Sequence, residues 1–100
     1  MKVYYKRVGR KAIEIEIEDK LEILQTLVDG LIEVIELTPG IDMICNEEGK
    51  LIGLEENINL DYDIIVGDVI ICSHDNEGNF VGLSDEQKKI VDRELEYRSV

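Results

Sequence analysis

The sequence predicts an α+β domain: a mainly antiparallel, partly rolled sheet with a β-grasp-like ββα start, one packed helix and a C-terminal helix. Three observations predict it. "AIEIEIE" alternates without error, with Ile13, Ile15 and Ile17 on one face and Glu14, Glu16 and Glu18 on the other, the pattern of an antiparallel strand with one wet face. At Asp19 the apolar period lengthens to that of a helix, through Leu21, Leu24, Leu27 and Val28. Beyond Gly30, apolar arms of strand length alternate with polar turns until Ser84 opens a second helix.

Each element has a local reason. "MKVYYKR" is short and rich in Val and Tyr, and "VGRK" supplies the turn into 12–18, so the first two strands form a hairpin. Asp19 and Glu22 stand at capping-box spacing, and Gly30 stands where a left-handed residue closes a helix, which bounds the first helix at 19–29. Its Leu stripe is a core stripe, because a helix this short is stable mainly through burial. In "LIEVIEL" Glu33 and Glu36 have opposite parity. The strand therefore carries a bulge near Ile35 or ends before Glu36. "TPGI" turns the chain into "IDMIC", giving a second hairpin of 31–37 and 41–46.

Two stretches then look alike: "ICNEEGKLIGL" from Ile44 and "ICSHDNEGNFVGL" from Ile71. In each, a Gly-closed loop (Gly49, Gly78) is expected to lead into a short return strand, 51–54 and 80–83. They are a duplicated element or independent answers to one turn problem, and hairpin chemistry alone makes such look-alikes common. Between them 55–63 reads as loop, and "DIIVGDVII" as two short strands broken at Gly67-Asp68. Ser84 and Gln87 form a capping box for a sparse, mostly solvated helix at about 84–97, frayed past Tyr97. The expected core is Val3, Tyr5, Ile13, Ile15, Ile17, Leu21, Leu24, Val28, Ile32, Val34, Met43, Cys45, Leu51, Ile65, Val69, Ile71 and Val81. The whole of 1–100 is read as a single domain, large enough to bury one modest core without metal or disulfide.

Charge narrows the partners. The chain carries a net charge of −12, and it is uneven. Residues 1–11 hold five bases and no acid, whereas residues 21–87 hold sixteen acids against Lys50 alone. Phosphate contacts need clustered Lys and Arg, so direct nucleic-acid binding is not expected, nor is an anionic membrane surface. No apolar run reaches the roughly 20 residues that span a bilayer. The basic start lacks the apolar region of a signal peptide, and two cysteines make no disulfide framework, so a cytoplasmic location with reduced thiols is expected.

The chemistry-bearing residues favour plain readings. Cys72 and His74 share a strand face by spacing, and Cys45 on a neighbouring strand would complete three zinc ligands. Each Cys lies in an apolar run, however, where a free thiol packs as a small hydrophobe, so neither metal nor cofactor is expected. A Cys–His nucleophile lacks an orienting third group. Paired acids such as Glu47-Glu48, Glu55-Glu56 and Asp61/Asp63 sit in polar segments rather than an apolar cleft, and no phosphate-binding or metalloprotease motif is present. No enzyme class is supported. Glu14, Glu16 and Glu18, about 6.8 Å apart by strand rise, form a candidate acidic face that could imitate nucleic-acid phosphates. The plainer reading is an ordinary solvated strand face.

The helix "LEILQTLVDG", Ile32-Glu33-Val34, Cys45 to Leu51, Gly53-Leu54, Asn57, "DIIVGDVII" and "FVGLSDEQ" together carry a resemblance. The chain resembles an uncharacterised domain-of-unknown-function family of small proteins from bacterial phages, plasmids and conjugative elements. The resemblance implies a mobile-element setting and no established activity. The expected function is an acidic accessory protein of such an element, acting non-catalytically on a protein partner, by counter-defence or nucleic-acid mimicry. The alternative is a small-ligand module whose loops 46–50, 55–63 and 73–79 form one rim, with Asn46, Glu47, Glu48, Asn57, Asp61, Asp63 and His74 as candidates. Self-association is compatible with either.

Overall fold

The computed structural model describes residues 1–100, with β1 (Lys2–Lys6), β2 (Ile13–Glu16), α1 (Leu21–Val28), β3 (Ile32–Thr38), β4 (Ile41–Asn46), β5 (Glu56–Asn59), β6 (Ile64–Val66), β7 (Val69–His74), β8 (Phe80–Val81) and α2 (Asp85–Arg98). The main sheet is open and antiparallel throughout, in the order β2-β1-β7-β4-β3, with β8 continuing the β1 side of β7. The fold class is the α+β arrangement that the sequence predicts, opening with the ββα unit.

Strand parity divides the interior into two layers. Ile41, Met43, Cys45, Val69 and Ile71 point to one face, where Val91 and Leu95 of α2 and Ile58, Leu60 and Ile65 of the β5–β6 hairpin cover them. Ile44, Ile70, Cys72 and Val3 point to the other, under Leu24 and Val28 of α1. The central strands β4 and β7 are thus covered on both sides. Each fully buried aliphatic side chain contributes about 1.5–3 kcal/mol relative to exposure, so these two strands anchor both layers.

Several elements differ from expectation. The return strand at 51–54 does not form: 47–53 is a run of turns, with Ile52 N–H bonded to Glu48 O and Leu54 N–H to Gly49 O. Leu51 is therefore 86% exposed rather than core. The missing strand is replaced by β5, in a segment that reads as loop because its four residues include two Asn and one Glu. The β7–β8 copy is a hairpin, Ser73 facing Val81 and His74 facing Phe80. The two look-alike stretches therefore share only their leading strand, and neither the turn nor the return strand.

Ile13, Leu21 and Val34 are also half-exposed, at 54%, 53% and 46%. All three lie on the α1 face, and the eight-residue helix covers the middle of that face but not its flanks. At the start of α1 the Asp19–Glu22 box is absent, and Lys20 is the N-cap with no side-chain cap. At its end Asp29 takes the left-handed conformation (φ 62°) expected of Gly30. Gly30 is needed for space instead, because a Cβ there would meet Asn46 Nδ2 at 2.6 Å. The β3 irregularity falls between Glu36 and Thr38, just beyond the Ile35 expected. Helix α2 starts on the Ser84–Gln87 capping box as expected, but its end is tied rather than frayed: Val100 N–H bonds Asn57 O at 2.9 Å. No helix is long and apolar enough to cross a membrane.

Candidate functional site

The proposed rim separates into four places. Asn46, Glu47 and Asp63 do come together, lining a groove of about 130 Å³ between β3–β4 and β6, with Lys50 ion-paired to Asp63. Asn46 is 6% exposed and its amide is fully engaged. Nδ2 donates to Val28 O and Asp29 O at 3.1 and 3.0 Å, and Oδ1 accepts from Glu48 N–H at 2.8 Å. Asn46 is therefore a cap, satisfying the free carbonyls at the end of α1. Glu47 and Glu48 are exposed beside it. Asp61, in a turn with φ 73°, pairs with Arg98 of α2 at 3.3 Å.

Asn57 is fully buried and does not line that groove. Its Nδ2 donates to Lys6 O at 2.9 Å and Gly67 O at 2.8 Å, and its Oδ1 accepts from Lys6 Nζ at 2.8 Å. Lys6, 2% exposed, also donates from Nζ to Arg7 O at 3.0 Å, and no carboxylate lies within ion-pair distance of it. Burial holds this ammonium below the usual lysine range, and the charge of Asp68 only partly offsets that.

Beside Lys6 is a cavity of about 520 Å³, between the β1–β2 connection (Gly9, Arg10, Lys11, Ala12) and the last turns of α2 (Asp92, Leu95, Glu96). Sequence reading passes over this place, because Lys6 looks like one more base in a solvated run. Strand parity carries the only available signal, setting Lys6 on the same face as Tyr4.

His74 stands at the far end of β7, with Nδ1 2.7 Å from Asp42 Oδ2, and its pKa is raised by that hydrogen bond and by the carboxylate charge. Cys72 and His74 share a face as their spacing predicts, but Cys45 points to the other face of the sheet, so the three do not converge. Burial pushes the Cys45 thiol up to about 11 and Cys72 to about 12, which leaves both as neutral, unreactive thiols at neutral pH. In the acidic face, Glu14 and Glu16 lie on β2, with Glu14 ion-paired to Lys88 of α2, while Glu18 lies past the strand beside Lys20 at 3.2 Å.

A further candidate surface is the outer edge of β3. The Leu31 carbonyl accepts from Glu47 N–H, so residues 31, 33 and 35 turn their main-chain groups toward β4. By alternation Ile32, Val34 and Glu36 turn theirs outward, where no strand pairs with them. Glu33 and Glu36 are exposed along this edge, with Leu31 52% and Val34 46% exposed beside them.

Neither the curated proteins nor the solved structures include a match to this chain. Among protein families, residues 1–96 match the one described as "Domain of unknown function (DUF3846)". With nearly its whole length matched, the chain belongs to that uncharacterised family.

Proposed function

We propose that the protein is a non-catalytic, cytoplasmic binding module that takes an extended, basic segment of a partner protein along the free edge of β3. The observation that supports this is the free outer edge of the seven-residue strand β3, bordered by acids and half-exposed apolar side chains. Strand addition supplies affinity from main-chain hydrogen bonds, and side-chain pairs supply selectivity. A basic residue opposite Glu33 or Glu36 adds about 0.2–1 kcal/mol per pair, whereas a second copy of this acidic strand is repelled. The irregularity between Glu36 and Thr38 adds a further guard against self-pairing. Accessory service on a phage, plasmid or conjugative element, including counter-defence, is the setting we propose for such a module.

The small-ligand reading has less support at the rim: its groove is below the roughly 300 Å³ of ordinary ligand sites, and the amides of Asn46 and Asn57 are already committed. Direct phosphate mimicry is likewise less favoured, with Glu14 neutralised by Lys88.

Paired capture from a host lysate, with the wild type and Glu33→Lys/Glu36→Lys as baits, tests the proposal. The wild type should retain a basic protein that about 0.5 M salt releases, and the charge-reversed bait should not. Amide exchange at Ile32, Val34 and Glu36 should slow in the complex. A partner held equally by both baits, or protection confined to other strands, would rule this edge out.

A further inference from the structure

The cavity beside Lys6 has no part in the β3 edge, which lies at the other side of the sheet. We propose that it binds a small anion, a carboxylate or monophosphate with a short apolar body, whose acidic group meets the Lys6 ammonium.

Four observations converge on it. Lys6 is 2% exposed and has three N–H donors, of which two are used, by Arg7 O and Asn57 Oδ1. Both acceptors are neutral, and a buried charge ordinarily has an opposite charge or is costly to keep. The cavity supplies room for that missing charge, and its volume of about 520 Å³ suits a small ligand.

Its mouth also concentrates positive charge. Arg10 and Lys11 line it with Lys6, from the one basic stretch of a chain whose net charge is −12. Neither Arg10 nor Lys11 is ion-paired. Ala12, Leu95 and Val100 provide apolar wall for the ligand body. Across from the cations, Asp92 and Glu96 line the α2 wall. Burial, with the charge of the nearby Asp92 carboxylate, holds the Tyr4 hydroxyl up to about 12. These two carboxylates repel a polyphosphate, so the site selects an anion with a single acidic group.

Asn57 sets the arrangement. It fixes Lys6 through both its main chain and its side chain, and its own carbonyl holds Val100 at the cavity wall. It is a positioning residue and not a ligand.

The test titrates isotopically labelled protein with butyrate and, separately, inorganic phosphate, each against chloride at matched ionic strength. Saturable amide shifts at Gly9, Ala12 and Leu95 are expected with at least one of them, and which one saturates identifies the acidic group. Lys6→Met should weaken that binding at least tenfold. Arg10→Gln/Lys11→Gln, at exposed positions that leave the fold intact, should weaken it several-fold, and Asp92→Asn should tighten it. Glu33→Lys/Glu36→Lys should leave it unchanged, which separates this site from the β3 edge. If neither anion saturates beyond the chloride control, or if the Arg10/Lys11 variant binds as the wild type does, the site does not exist.

Discussion

Asn57 has no exposed surface and its side chain makes three hydrogen bonds, so truncating it removes more than its own contacts. Asn57→Ala would strand the carbonyls of Lys6 and Gly67 and strip the buried ammonium of one of its two acceptors. An orphaned buried polar group costs about 1–3 kcal/mol, and the expected loss for the variant is about 3 kcal/mol, measurable by urea unfolding. His74 offers a gentler test. Its pKa lies above the ordinary 6.5 because of Asp42, so the pair stabilises the fold fully below that value. The contribution disappears as pH rises through the folded-state pKa, and with the side chain 39% exposed it is strongly screened. The imidazole should therefore titrate above 6.5 by NMR, and Asp42→Asn should return it toward the free value. An unchanged midpoint in that variant would show that the pair does not persist in solution.

Helix α2 depends on its first turn. Its apolar side is thin, with only Val91 and Leu95 buried, so the reciprocal Ser84–Gln87 box is a sizeable share of what starts it. Gln87 also donates from Nε2 to Ser73 Oγ at 2.9 Å, joining the cap to the end of β7. Ser84→Ala should cost about 1 kcal/mol, read as a lower thermal midpoint with unchanged circular dichroism at low temperature. This cap was legible in the sequence because it is local, as were the β1–β2 and β3–β4 hairpins, the break at Gly67-Asp68 and the sparse face of α2. What was not legible depends on partners distant in sequence. Asn46 and Asn57 look like turn formers, and only the approach of α1 and of Lys6 turns them into buried caps. The turns at 47–53 and the strand β5 replaced a predicted hairpin because β6, not 51–54, supplies the pairing edge. Lys6 was hidden for the same reason: no neighbour in sequence says that the β5–β6 hairpin and α2 will close over it.

At the scale of the molecule, charge and topology set separate conditions. With 23 acids against 11 bases, self-repulsion opposes compaction. Moderate sodium chloride should raise the thermal midpoint as it screens that repulsion, and a fall would mean that the ion pairs such as Glu14–Lys88 and Asp63–Lys50 outweigh it. Topology acts through time. Strand β7 occupies the centre of the sheet, between β1 and β4, yet it is made after both. As the chain leaves the ribosome, two hairpins emerge that cannot join each other, since Tyr4 and Met43 each await Ile71. For that interval the inner edges of β1 and β4 stand open to any passing strand. The last third of the chain is thus a keystone: until it arrives, neither half has a core on which to close, and an interrupted translation product would be a target for chaperones and proteases.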